Sequence, residues 1–455
     1  MTVVKYLLLA TALVLPCLAK PNIILFYADD LGWTDLGCQG SDYYESPRID
    51  ALAKEGMTFS QAYAGAANCA PSRACLITGL YTPRHGVFTV GKSDRGKSKD
   101  RKLIPIENRT VLDPKFPALP QALQKAGYAT CVAGKWHLSK DPKPYGFDHN
   151  IGACDWGHPK SYFSPYKSPV LKDGPKGEHL PARLAKDVSD WIRTRKDDPF
   201  FVYFPFYSVH TPIEAESEVT ARYKSKTAGT HHDNPKYAAM IDAMDRAVGT
   251  VLDTLAELGL EDDTIVVFTS DNGPHAGFST ADPLSGSKGM YLEGGIREPF
   301  IVRWPGKTKA GSRCDIPVHQ VDLFPTLVKA AGGELPELLD GVDFGPLAAG
   351  GAIGSRNLFW HFPGYLEAYG PVHGDQSKHF RTTPCSVIRK GDWKLIEYFE
   401  DGSLRLFNLA DDPSEKQDRL QSDPEKAEEL LGELKAWRKE TDAPVPTRPN
   451  PDYKG

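Results

Sequence analysis

Net positive charge is missing from this chain. Its 54 Lys and Arg stand against 59 Asp and Glu, a formal net charge of -5, so no global basic field is available to hold a nucleic acid. An anionic ligand would need cations gathered locally. Long apolar runs are also scarce. The one clear run, Tyr6 to Ala19, is too short to span a bilayer comfortably, and no later segment approaches the required length, so no stable membrane span is expected. Preceded by Lys5 and closed by Cys17-Leu18-Ala19, the run reads as a cleaved export signal over residues 1–19, which makes the mature protein secreted or periplasmic. A lipid anchor at Cys17 is the second reading, opposed by Pro16 where a small residue should precede the modified cysteine. Cys-x-x-Cys and His-x-x-x-His spacings do not occur, so no pattern points to zinc. Internal repeats are absent too.

What is present is an ordinary soluble composition, 40% apolar and 25% charged over 455 residues, enough chain to bury a large core. Apolar runs at Ile23–Tyr27, Ala129–Ala133, Phe200–Phe206, Thr264–Ser270 and Phe300–Trp304 alternate with helical patterns at Ala182–Arg195 and Tyr237–Leu258. Strand alternating with helix predicts an α/β fold with a large central, mostly parallel sheet flanked by helices. After a glycine- and alanine-rich stretch at Gly345–Ser355 the pattern changes. Runs at Cys385–Arg389, Trp393–Tyr398 and Leu404–Asn408, joined by turns, then a charged amphipathic stretch at Pro424–Thr441, predict a smaller antiparallel sheet with a covering helix. Residues 20–350 are therefore expected to form a catalytic unit and 356–455 a C-terminal one.

The polar residues of interest sit where strands end, the position at which open α/β sheets build their sites. Asp29 and Asp30 follow the first run, and two adjacent carboxylates repel unless a cation neutralises them. Asp271 and Asn272 follow the Thr264–Ser270 run. These four side chains offer only oxygen ligands, the set preferred by a hard cation such as Ca2+. Lys135 and His137 follow another strand and share one side of an extended segment. His210 ends the Phe200–Phe206 strand segment, and Lys288 lies in a glycine-rich loop that permits close backbone approach. The Gly- and Pro-rich stretch Tyr145–Gly177 reads as a loop over the site. The charged stretch Lys92–Lys102 reads as a solvated loop without a site role.

One motif joins these parts. Cys69-Ala70-Pro71-Ser72-Arg73, followed by an apolar run and Thr78-Gly79, resembles the signature of type I sulfatases, in the alkaline phosphatase superfamily, where the cysteine is oxidised to formylglycine. With the strand-end residues, the resemblance runs from about Pro21 into the C-terminal region. The chemistry is coherent: a hydrated aldehyde offers two hydroxyls on one carbon, one to attack sulfur and one whose deprotonation expels the sulfate. Pro71 suits a first helical turn, and Arg73 falls one turn beyond Cys69. The resemblance implies that Asp29, Asp30, Asp271 and Asn272 hold one calcium ion that Cys69, as formylglycine, also contacts. It implies that Arg73 and Lys135 stabilise the diol, that Lys288 and His210 grip the sulfate and assist the leaving alcohol, and that His137 takes the proton that releases sulfate. It further implies a maturation enzyme that generates formylglycine. Leu80 departs from the family, many members having arginine after Thr-Gly.

The expected reaction is hydrolysis of a sulfate ester, with a sulfated polysaccharide or glycosaminoglycan fragment as substrate. Phe359-Trp360-His361-Phe362-Pro363-Gly364-Tyr365, with His373 and His379, suits either sugar stacking or core packing. Alternatives are a broad arylsulfatase, a phosphonate or phosphate ester hydrolase, and a secreted carbohydrate-binding protein with unmodified Cys69. Setting aside Cys17 and Cys69, six cysteines can pair or remain as buried thiols. Nothing in the pattern fixes an oligomeric state.

Overall fold

The computed structural model describes residues 20–369 and 377–454. The export signal with Cys17, and His373, lie outside the described residues. The central sheet contains β1 (Asn22–Ala28), β2 (Met57–Phe59), β3 (Ala129–Ala133), β4 (His149–Ile151), β5 (Phe200–Pro205), β6 (Thr264–Ser270), β7 (Phe300–Arg303) and β8 (Ser312–Cys314). Its strand order is β8-β2-β7-β6-β1-β5-β3-β4, and only β7 runs antiparallel to its neighbours.

Helices cover both faces, which is why β1 reads as an unbroken apolar run. Ile24 and Phe26 belong to one core with residues of α2 (Leu180–Arg193) and α3 (Pro235–Glu257), whereas Ile23, Leu25 and Tyr27 belong to another with α1 (Cys69–Thr78). This is the period of two expected of a strand buried on both sides.

Register decides what meets at the sheet's C-terminal edge. Ala28 pairs with Ser270 and Tyr27 with Pro205, so Asp29 and Asp271 leave the sheet side by side. Backbone bonds hold the edge together: Asp271 N donates to Ala28 O (3.1 Å), Asp29 N to Ser208 O (2.9 Å) and Lys135 N to Pro205 O (2.7 Å).

The smaller sheet is antiparallel and consists of Asn357–Phe362, Cys385–Lys390, Trp393–Tyr398 and Leu404–Asn408. Ile388, Leu395 and Leu406 pack beneath α4 (Pro424–Glu440), while Leu358, Trp360, Phe362 and Ile396 pack against Tyr63, Tyr291 and Ile296 of the larger unit. The sheet therefore needs an apolar partner on each face. That requirement excludes sugar stacking by Trp360: the ring is 2% exposed and its Nε1 donates to Ala64 O (2.8 Å). Phe362 and Tyr365 are buried as well, and His361 bonds Ser386 and Pro444 O. Lys394, fully buried, bridges Glu293 (3.0 Å) and Glu415 (2.8 Å) at the junction. Of the two alternatives for the six, the structure has Cys38, Cys75, Cys131, Cys154 and Cys314 as thiols.

Candidate active site

α1 begins at Cys69 and is buried at every position, so its first turn opens directly into the strand-end cluster. Arg73, one turn on, donates from Nε (3.0 Å) and Nη2 (2.7 Å) to Asp271 Oδ2, and from Nη1 to Lys135 O (2.7 Å). It thereby ties the end of β6 to the segment after β3. The Lys135 ammonium meets Asp29 Oδ2 at 2.5 Å. Asp30 takes a positive φ of 60°, which turns the chain as it leaves β1; its backbone N–H donates to Asp271 Oδ1 (3.1 Å), and its own Oδ1 accepts from Asn272 Nδ2 (2.8 Å). Lys288 Nζ lies 2.6 Å from Asp30 Oδ1 and 3.5 Å from Cys69 Sγ, and His210 Nε2 lies 3.6 Å from Asp30 Oδ2.

The ligand atoms of Asp29, Cys69 and Asp271 lie within 4.8 Å of one another, and so do those of Asp30, Cys69 and His210. Here the cysteine sulfur stands for the oxygen that formylglycine would present. Asp29 Oδ1 and Asn272 Oδ1 are buried acceptors without a donor among the described residues, a cost that an oxygen-seeking cation would remove. The residues present therefore fit a calcium ion.

His137 sits at φ 64°, its N–H bonded to Cys154 O (2.9 Å). A Cβ on Gly157 would lie 2.7 Å from His137 Nε2, so the Tyr145–Gly177 loop reaches the ring, and any larger residue there would have to displace it. Burial, then Lys135 and the neighbouring cations, push the His137 pKa well below its ordinary value, which keeps the ring neutral. Burial, then Lys288, does the same to His210. Burial raises Asp29 well above the usual carboxylate range despite Lys135. Burial also opposes charge on Asp30, but Lys288, His210 and Lys135 together outweigh it and hold that carboxyl low. Burial pushes the Cys69 thiol up.

A cavity of about 190 Å³ brings together Cys69, His137, His210 and Lys288. Asp29, Asp30, Arg73, Lys135, Asp271 and Asn272 form its fully or almost fully buried backing. Sequence reasoning missed three residues of its wall. Arg95 comes from the charged stretch that was expected to be solvated; its Nη2 pairs with Glu367 (2.6 Å). A run of charges carries no sign of which cation turns inward. Tyr369 and Arg381 come from beyond the large sheet, and no periodicity marks them. They also line a second cavity of about 550 Å³, bounded by the Ala276–Met290 segment.

A sequence model of the family described as Sulfatase matches residues 21–333, and one described as N-sulphoglucosamine sulphohydrolase, C-terminal, matches residues 287–441. The chain is 33% identical to a sulfatase of Formosa agariphila, over 94% of this chain and 90% of that one. It is 34% identical to the N-acetylgalactosamine-6-sulfatase of Rattus norvegicus, over 75% of this chain and 68% of that one. Among solved structures, Ps i-CgsB in complex with k-i-k-neocarrahexaose superposes with a TM-score of 0.78 at 28% identity, covering 94% of each chain.

Proposed function

The chain belongs to the sulfatase family of sulfuric ester hydrolases, and on that premise we propose that it removes sulfate from a sulfated saccharide, using formylglycine formed from Cys69 and one calcium ion. The observation that carries this reading is the position of Cys69 at the first turn of a buried helix, its sulfur within 4.8 Å of ligand atoms of Asp29 and Asp271. A buried thiol amid carboxylates has no evident structural use. The saccharide class is supported by relatives named for N-acetylgalactosamine 6-sulfate and by a similar structure solved with a neocarrahexaose.

Formylglycine, once hydrated, would supply an oxygen nucleophile and a route for sulfate release, and calcium would supply positive charge toward the sulfate oxygens. Asp29, Asp30, Asp271 and Asn272 would hold the ion. The chain's own groups do the rest. Arg73, locked to Asp271, and Lys135, against Asp29, add fixed positive charge behind residue 69. Lys288, 3.5 Å from Cys69 Sγ, is within reach of a sulfate oxygen held at that residue. His137, neutral and lining the cavity, accepts the proton whose loss releases sulfate. His210, on the Asp30 side, faces the leaving alcohol together with Lys288.

The test is mass analysis of the tryptic peptide Glu55–Arg73 from correctly processed secreted protein, which has no internal Lys or Arg. Aldehyde or its hydrate at position 69 is expected. Unmodified cysteine in that material would sink the mechanism and leave the carbohydrate-binding alternative.

A further inference from the structure

Arg381 is 1% exposed, yet its Nε and Nη1 have no acceptor among the described residues. Arg73 and Arg389 are comparably buried but satisfied: the first by Asp271 and Lys135 O, the second by Gly391 O, Tyr63 and Gln61. An uncompensated buried guanidinium is costly. Burial accordingly pushes Arg381 below its ordinary value.

Its position is set by packing instead of by a counter-ion. Cζ lies 3.7 Å from the centroid of the Tyr369 ring, on which His275 also stacks at 4.1 Å. A Cβ on Gly289 would come within 2.5 Å of Arg381 Nε, so the guanidinium rests against the residue that follows Lys288. Gly289 has φ 88° and its N–H bonds Ala67 O (2.7 Å), two residues before Cys69. Arg381 thus stands beside the catalytic loop as a wall shared by the Cys69 cavity and the 550 Å³ cavity. The second space is large enough for a sugar residue, and Lys416 and Asp282 also line it.

Resting on the sulfated-saccharide reading above, we propose that Arg381 is a specificity-determining residue that binds a second anionic group of the substrate, a carboxylate or another sulfate, where the saccharide passes from the Cys69 cavity into the Ala276–Met290 cavity. The planar guanidinium suits bidentate contact with either anion. Lys288 and His210 already surround the reacting position, which leaves Arg381 for a group farther along the sugar.

The experiment measures kcat and KM of the calcium-loaded, matured enzyme and of R381Q and R381K on three disaccharides: one monosulfated and otherwise neutral, one carrying a second sulfate, one carrying a uronate. An aryl sulfate serves as a fourth substrate. The wild type is expected to favour a doubly anionic disaccharide over the neutral-backbone one by about tenfold to a hundredfold in kcat/KM, the range for a charge-assisted hydrogen bond. R381Q should erase that preference chiefly through KM, with R381K retaining part of it. The second-sulfate and uronate arms identify which anion is read. Equal losses on all four substrates would overturn the proposal, because Arg381 would then act on the scissile sulfate or on the fold. Absence of any preference in the wild type would overturn it without a variant, so the claim stands or falls even if R381Q does not fold. If the wild type hydrolyses no sulfate ester at all, the catalytic reading fails first and this one with it.

Discussion

Arg73 and Asp271, 198 residues apart, share two hydrogen bonds of 3.0 and 2.7 Å with both side chains fully buried. Burial opposes the charge on Arg73, but Asp271 together with Tyr203, Asp29 and Tyr27 outweighs it, raising the guanidinium above its ordinary value. Removing one partner leaves the other charge uncompensated. Arg73→Ala should therefore cost about 3–5 kcal/mol in stability as well as activity, read from urea unfolding curves. A variant as stable as the parent would show that the pair is not held in this arrangement.

Chelation provides a second check. If the orphaned oxygens of Asp29 and Asn272 are ligands, EGTA should abolish sulfate ester hydrolysis and lower the melting temperature, with calcium restoring both. Restoration by zinc and not by calcium would contradict the all-oxygen reading.

Gly157→Ala would put a methyl 2.7 Å from His137 Nε2. Displacing that ring by about an ångström should lower kcat about a hundredfold, with little change in melting temperature because His137 is packed at a loop and not in a core. A fall in melting temperature with kcat intact would mean the loop yields and the ring does not.

The junction of the two sheets should respond to pH in a defined direction. Burial opposes charge on Glu293, but Lys394, Arg297 and Arg389 outweigh it and hold its carboxyl at about 2. Its contribution to stability is present above the unfolded carboxylate pKa of about 4.3 and is lost as pH falls toward 2. Burial pushes Glu415 up to about 7 even beside Lys394. Being raised, it favours the fold below the unfolded value, and that advantage is lost as pH rises through 7. Thermal melts of Glu415→Gln from pH 5 to pH 8 should show a shallower decline than the wild type. An unaltered slope would exclude Glu415 as the titrating group.

The strand-end residues were legible in the sequence because an apolar run buried on both faces is a local signal, and the polar residues that follow it are therefore at the sheet's edge. The Cys69 motif was legible for a similar reason. Pro71, Arg73 and the run to Thr78 define one short helix whose start fixes the cysteine, and the structure begins α1 at Cys69. The smaller sheet and its helix were legible from turns and alternation.

Partners across long separations were not. That Lys135 meets Asp29 and Lys288 meets Asp30 depends on the register of β1, β3 and β5 and on the path of a glycine-rich loop, none of which a local pattern encodes. The aromatic run at Phe359–Tyr365 was ambiguous by sequence, and only the apolar surface of Tyr63, Tyr291 and Ile296 beneath it determined that Trp360 is core. Arg95 and Arg381 reach the site from a charged loop and from the smaller sheet's side of the molecule. The sequence determined which chemistry the strand ends carry, because secondary structure and its edges follow from nearest-neighbour periodicity. Tertiary structure alone decided which cations line the pocket, because that depends on how distant segments close over it.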